Sequence, residues 1–189
     1  MSNETTAPEE SPLDPIEPDE QMHIDPVERN WMFVAGGVTL IFFVAVTIAG
    51  FALGIQVPTD EGRVDPNTLD STSPWDEPGL REVVPGEEYD LVIVARRFFF
   101  EPNDVVIPKG ATVNFIATAA DVQHGIKLGD TNVNMMLIPG QVSRLSATFD
   151  EVGEYDYICH EFCGIGHAVM FGILRVVEPG DMPTEEGSA

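Results

Sequence analysis

One long apolar stretch dominates the N-terminal third of the chain. Residues 30–59 carry no charged side chain, and the part from Trp31 to Ile55 is almost wholly apolar. A helix of this length measures about 37 Å, which exceeds the roughly 30 Å hydrocarbon core of a bilayer. A buried helix of a soluble protein normally keeps a polar stripe, and this stretch has none. The pattern therefore predicts a transmembrane helix within residues 30–57.

A second pattern, of short β-branched and aromatic runs, occupies residues 89–178. Turn signals such as Pro108-Lys109-Gly110 and Pro139-Gly140 separate the runs. Short strands at this spacing are typical of an all-β sandwich or barrel. The runs that predict strands are 89–100, 104–107, 112–118, 125–128, 141–149, 153–158 and 171–177.

The remaining segments are polar and acidic. Low hydrophobicity with high charge predicts a disordered tail at each end of the chain. Between helix and β domain, frequent Pro, Gly and Asp residues predict a linker, in which no pattern assigns a role to Trp75. The expected order is an acidic tail (1–29), the transmembrane helix (30–57), the linker (58–88), the β domain (89–178) and a second acidic tail (179–189).

The charge of the chain is extreme for its size. Of 189 residues, 32 are acidic and 9 are basic, which gives a formal net charge of −23. Such a charge repels nucleic acid, so we expect no nucleic-acid partner, and it favours cationic partners at low salt. Because the acidic residues are spread over tails, linker and domain alike, the composition also indicates a halophile, where salt screens self-repulsion.

Candidate metal chemistry is concentrated in one loop between two predicted strands. The segment Cys-His-Glu-Phe-Cys-Gly-Ile-Gly-His-Ala-Val-Met, from Cys159 to Met170, packs six potential donors into twelve residues. Thiolate and thioether sulfurs are soft ligands and imidazole is borderline, a combination that suits copper. A one-copper site needs one cysteine, whereas two bridging cysteines give each of two ions two sulfurs and one imidazole. The two-ion arrangement is favoured because it uses all five side-chain donors, namely His124, Cys159, Cys163, His167 and Met170.

Two simpler interpretations of the cysteines stay open at this point. A Cys159–Cys163 disulfide is compatible with a location outside the cytoplasm, and the spacing alone is weak evidence for a metal. A tetrahedral zinc site with two cysteines and two histidines would leave Met170 unexplained. His23 and His160 fit no ligand position, so we expect both at the surface.

The loop resembles a known copper motif. Its string Cys-x-Glu-x-Cys-Gly-x-x-His-x-x-Met is similar to the CuA motif of cytochrome c oxidase subunit II. The segment Asp-Val-Gln-His, which ends at His124, resembles the one that gives this family its first histidine. The likeness covers residues 89–178, and a single preceding helix is similar to subunit II of B-type haem-copper oxidases. The implied fold is a cupredoxin, a Greek-key β-sandwich.

The resemblance also implies a complete ligand set for two copper ions. The family pattern has two cysteines bridging the ions, one histidine on each ion, and a methionine as a weak ligand. The remaining ligand is the main-chain carbonyl of a glutamate. The residues at these positions are His124, Cys159, Glu161, Cys163, His167 and Met170.

By the same resemblance, the function is electron transfer within a membrane enzyme. The chain would accept electrons from a soluble donor and pass them to haem in subunit I of an oxygen-reducing, proton-translocating complex. It would hold no catalytic residue itself. The copper domain would face outward from the plasma membrane, on a single-pass helix with a cytoplasmic N-terminus. The Glu161 carboxylate matches a position that helps some members hold a magnesium ion against subunit I.

The chain departs from the commonest family pattern in one segment. The aromatic stretch with a tryptophan, used by many members for electron entry from cytochrome c, is not recognisable, and only Phe98-Phe99-Phe100 offers aromatic residues nearby. The donor is therefore expected to be either a cytochrome c or a small blue copper protein. The alternative function is that of a stand-alone, membrane-tethered copper electron carrier.

Overall fold

The computed structural model describes residues 24–52 and 57–183, which form an α-helix and a β domain. The helix α1 spans Pro26–Ala52. Asp25 precedes it and accepts the N–H of Val27 at 2.7 Å, while Pro26 occupies a first-turn position that needs no N–H donor. α1 is long and apolar enough to cross a membrane by length and composition, so the predicted N-terminal apolar helix is confirmed.

The β domain consists of eleven strands in two sheets. In sheet I the order is β1-β9-β6-β3-β2, with β4 paired to β3, and in sheet II it is β5-β11-β10-β7-β8. The pairs β3–β6 and β5–β11 are parallel and the other pairs are antiparallel. The strands are β1 (Thr59–Arg63), β2 (Gly79–Val84), β3 (Glu88–Arg96), β4 (Phe99–Glu101), β5 (Asp104–Pro108), β6 (Thr112–Ala119), β7 (His124–Leu128), β8 (Asn134–Leu137), β9 (Gln141–Thr148), β10 (Gly153–Ile158) and β11 (Phe171–Val177). The predicted all-β, cupredoxin-like sandwich is confirmed.

The main core lies between the two sheets and reaches one end of the sandwich. Alternating positions point inward, as in β8, where Met135 and Leu137 are buried and their neighbours are exposed. The candidate ligands Cys159, Cys163 and Met170 belong to the same buried cluster. The loop between β10 and β11, which carries these three residues, is therefore packed onto the core.

The segment predicted as a linker, residues 58–88, is part of the sandwich. β1 pairs with β9 and β2 pairs with β3, so the segment contributes strands to sheet I. Between them the chain crosses the outer face of the sheet, where Leu69 and Trp75 are buried against Val92, Val94 and Ile116. The sequence concealed this arrangement because edge strands are short and polar, and such strands share the composition of loops.

Two further differences concern strand boundaries. The run 89–100 was expected to be one strand, but a turn at Arg97 and Phe98 divides it into β3 and β4. β8 was not predicted, because its four residues are too few to show a period. Most of the two predicted tails lies outside the described residues, although 26–29 belong to α1 and Pro179–Asp181 forms a short 3-10 helix.

The buried cluster around Leu69 and Trp75, on the outer face of sheet I, supports a stability prediction. Replacing Trp75 with alanine should lower the free energy of unfolding of the β domain by about 3–5 kcal/mol, because a buried indole leaves a cavity. Denaturant unfolding of the full chain in mild detergent, followed by circular dichroism in the β-sheet region, measures the change. Val83→Ala, at an exposed position of β2, is the control and should stay within about 0.5 kcal/mol. A loss below about 1 kcal/mol for Trp75→Ala would show that the segment is only loosely attached.

Candidate metal centre

Three neighbouring strands of sheet II bring the candidate ligands to one end of the sandwich. His124 is the first residue of β7, Cys159 directly follows β10, and Met170 directly precedes β11. The N–H of Cys159 donates to the carbonyl of Met170 at 3.1 Å and closes the base of the loop between β10 and β11. The strand ends therefore place the first and last residues of the loop side by side, close to His124.

All six residues predicted from the sequence lie in one cluster. The two sulfurs of Cys159 and Cys163 stand 3.9 Å apart at its middle. His124 Nδ1 lies 3.8 Å from the Cys159 sulfur, and His167 Nδ1 lies 3.6 Å from the Cys163 sulfur. The remaining two donors are the carbonyl oxygen of Glu161, 3.2 Å from the Cys159 sulfur, and Met170 Sδ, 3.7 Å from the Cys163 sulfur.

The two cysteines are free thiols. Their sulfurs are nearly twice as far apart as the roughly 2.05 Å of a disulfide bond, so the disulfide interpretation does not describe this state. Both side chains are only 6% exposed. Burial, with a contribution from neighbouring Cys159, raises the pKa of the Cys163 thiol to about 11. A bound cation would displace these thiol protons, since thiolates are the ligating form.

The ring of His124 is held by Asp121. His124 is fully buried, and its Nε2 lies 2.8 Å from Asp121 Oδ1, which leaves Nδ1 facing Cys159. Burial alone would raise the pKa of Asp121, but hydrogen bonds from His124 and from the N–H groups of Val122 and Arg97 outweigh burial and lower it. An ionised carboxylate on the outer nitrogen fixes ring orientation and makes the imidazole a better ligand. The sequence pattern did not predict this role, although Asp121 is the first residue of the segment Asp-Val-Gln-His that ends at His124.

His167 is presented by a turn of 3-10 helix, His167–Val169. The N–H of His167 donates to the Gly164 carbonyl at 3.1 Å, and the N–H of Met170 donates back to the His167 carbonyl at 3.2 Å. The ring of Phe162 stands 5.8 Å from the imidazole, centroid to centroid. These bonds hold His167 and Met170 in one short turn beside Cys163.

The carboxylate of Glu161 points away from the sulfurs. Its Oε2 accepts the side-chain amide of Gln123 at 3.2 Å, and its Oε1 lies 3.6 Å from Nδ1 of His160. His160 packs over Gly125 at the surface and stays outside the donor cluster, as the sequence predicted. Glu161 thus offers its main-chain carbonyl to the sulfur cluster and its side chain to a different environment.

Comparison with known proteins gives the family. A profile of the periplasmic domain of cytochrome c oxidase subunit II matches residues 83–177. A cytochrome c oxidase subunit 2 from Thermus thermophilus is 35% identical over 154 residues, which cover 80% of this chain and 92% of the relative. A second sequence from that species is 38% identical over 71% of this chain and its own full length. The chain belongs to the cytochrome c oxidase subunit II family.

A solved structure shows the kind of complex in which a relative of this chain is found. One chain of a haem-copper terminal oxidase dimer, determined by cryo-electron microscopy, is 32% identical with a TM-score of 0.68. The match covers 80% of this chain and 99% of that one, and therefore extends beyond the metal loop. Relatives of this subunit II chain are thus components of a haem-copper oxidase. The family implies copper, and two thiols, two imidazoles and a thioether are the donor types that copper accepts.

The Asp121–His124 contact supports a prediction on metal affinity. Asp121→Ala should weaken copper binding by about 10–100-fold, because the imidazole loses the group that fixes its orientation. Copper titration of the full chain against a competing chelator measures the change. Asp130→Ala, in an exposed turn, is the matched control and should bind copper as the unaltered chain does. An unchanged affinity for Asp121→Ala would mean that the buried position of His124 suffices.

Proposed function

We propose that this chain is the electron-input subunit of its oxidase and holds a two-copper CuA centre in the loop between β10 and β11. The observation that carries the proposal is the order of the donors. Two sulfurs lie in the middle, one imidazole lies beside each sulfur, and a weak donor stands beside each sulfur as well. A one-copper site would use one sulfur and leave the second buried thiol without a role, and a one-zinc site with both cysteines and both histidines would leave Met170 without one.

Each donor then has a definite role. Cys159 and Cys163 would bridge the two ions, and His124 and His167 would each bind one. Met170 would be a weak ligand of one ion, and the carbonyl of Glu161 would be a ligand of the other. Copper bound in this way supplies a one-electron redox centre whose charge is shared over two ions.

The protein contributes a buried and hydrogen-bonded site. The sulfurs and His124 are buried, the bond from Cys159 to Met170 closes the loop at its base, and Asp121 holds the ring of His124. Ligands held in this way cannot move far when the charge of the centre changes, and small movement favours rapid electron transfer.

The loop and the first residue of β11 carry four exposed apolar side chains, which we define as the apolar rim: Phe162, Ile165, Val169 and Phe171. Their side chains are 82%, 99%, 70% and 56% exposed, respectively. Exposed apolar side chains clustered beside a functional site are typical of a protein–protein interface. The rim supports docking of a partner close to the metal loop, where electrons must pass.

The remaining features suit a membrane-bound oxidase. The helix α1 would span the plasma membrane once, with the N-terminus in the cytoplasm and the β domain on the outer face. The haem-bearing subunit I would receive the electrons, and a cytochrome c or a small blue copper protein would deliver them. A magnesium ion at the contact with subunit I would use the Glu161 carboxylate.

The acidic surface fits a salt-rich environment. The chain has only two lysines, Lys109 and Lys127, against 32 acidic residues. At about 1 M salt the Debye length falls to roughly 3 Å, so like charges repel little and electrostatic attraction to a donor is weak. Under such conditions an apolar rim is a more effective docking surface than a charged patch.

Spectroscopy tests the metal centre. The full chain in mild detergent should bind two copper ions and give an electron paramagnetic resonance spectrum of one unpaired electron shared by two copper nuclei. Cys159→Ser should abolish that spectrum or convert it to a one-copper spectrum, because a bridge is lost. Glu161→Gln is the control, since the carbonyl ligand remains. A colourless chain that retains zinc would contradict the proposal.

Co-purification tests the partner. The chain should stay bound to a haem-bearing subunit in mild detergent, and Ile165→Glu should slow electron input by about tenfold or more, since a charge buried in an apolar interface costs over 1.4 kcal/mol. Val83→Glu, at an exposed apolar position of β2, is the control. A chain that purifies alone and transfers electrons at the full rate would instead be a stand-alone carrier.

A further inference from the structure

The turn between β3 and β4 touches residues that adjoin both halves of the donor cluster. It belongs to sheet I, whereas every strand that carries a proposed ligand belongs to sheet II. Arg97 contacts the segment that begins at Asp121, and Phe98 contacts the loop between β10 and β11. Two adjacent residues thus connect one sheet to two separate parts of the site on the other.

The contact of Phe98 is with two glycines of the loop. A Cβ atom on Gly166 would lie 2.4 Å from Cγ and Cδ2 of Phe98, and one on Gly164 would lie 3.0 Å from Cε1. Real Cβ atoms do not approach a ring at 2.4 Å. The half-buried Phe98 ring therefore lies directly on the loop backbone, just before His167.

The two glycines are required for different reasons. Gly164 has φ +132°, a conformation that strains any residue with a side chain. Gly166 has φ −93° and ψ 8°, an allowed conformation that residues with a side chain adopt in type I turns. Gly166 is therefore a glycine because of the space that Phe98 occupies, and not because of its own backbone.

The contact of Arg97 is with the carboxylate behind His124. The N–H of Arg97 donates to Asp121 Oδ2 at 2.8 Å, while Asp121 Oδ1 faces Nε2 of His124. The guanidinium Nε lies 3.9 Å from the same Oδ2. The main-chain bond fixes the carboxylate, and the carboxylate fixes the imidazole.

We propose that Arg97 and Phe98 form a positioning element that sets the distance between His124 and the His167 end of the loop. This inference rests on the proposed copper function, because it concerns how accurately the two halves of that centre meet. Since ligands must be held to within about 0.5 Å, a contact from the opposite sheet at Gly164 and Gly166 adds to the hydrogen bonds of the loop and further restricts its backbone. Phe98 acts through Gly164 and Gly166, and it binds no metal itself.

The test is a double-mutant cycle between positions 98 and 166 in the copper-loaded full chain. Phe98→Ala and Gly166→Ala should each change the copper hyperfine splitting and weaken copper binding by about tenfold or more, as the loop shifts. In the double variant the added methyl enters the space left by the ring, so Gly166→Ala should cost far less than it does alone. Additive effects of the two substitutions would overturn the proposal.

Two controls separate positioning from general damage. Phe99→Ala removes the neighbouring, exposed aromatic side chain and should leave the copper spectrum unchanged. Gly164→Ala should still perturb the site when Phe98 is absent, because the strain at φ +132° remains after the ring is removed. If Phe98→Ala prevents folding, Phe98→Leu keeps partial contact and should give a smaller change in the same direction.

A metal-free measurement keeps this inference distinct from the proposed function. In the reduced chain without copper, Phe98→Ala should speed the reaction of Cys159 and Cys163 with a thiol reagent several-fold, because a looser loop exposes the thiols. Phe99→Ala should react at the unaltered rate. Equal rates for Phe98→Ala and the unaltered chain would overturn the proposal even if copper binds. Faster labelling in a chain that shows no two-copper spectrum would retain the positioning element and reject CuA.

Discussion

The site depends on two buried thiols that are held close together without a bond between them. At 3.9 Å the sulfurs of Cys159 and Cys163 are too far apart for a disulfide and close enough to share cations between them. Around the two sulfurs stand the other donors, namely the imidazoles of His124 and His167, the carbonyl of Glu161 and the thioether of Met170. The main-chain bond from Cys159 to Met170 holds this geometry by closing the loop at its base.

The surrounding sandwich provides what a twelve-residue loop cannot provide alone. Sheet II contributes three strand ends, which bring together donors separated by up to 46 positions in the chain, from His124 to Met170. Sheet I contributes the turn at Arg97 and Phe98, which contacts both parts of the site from the opposite side. The site is therefore a property of both sheets, although its proposed ligands come from one.

Some side chains of the loop are buried and others are exposed. The residues that face inward, Cys159, Cys163 and Met170, are buried in the core of the domain. The residues between them, such as Phe162 and Ile165, are among the most exposed apolar side chains of the described chain. One short segment thus presents donors to the interior and apolar side chains to the solvent, an arrangement that suits the electron transfer proposed above.

The sequence by itself determined the apolar helix, the β-rich domain and the residue types of the site, because hydrophobic period and donor spacing are local properties. It did not reveal that residues 58–88 belong to the sandwich, since the polar edge strands and Trp75 acquire their roles only against β3 and β9. Nor could it assign Phe98, which contacts a loop distant in the chain, or Asp121, whose carboxylate joins neighbouring His124 to distant Arg97. Only the tertiary structure decided those contacts, because they depend on how two sheets pack and on the space that Gly166 leaves for a ring.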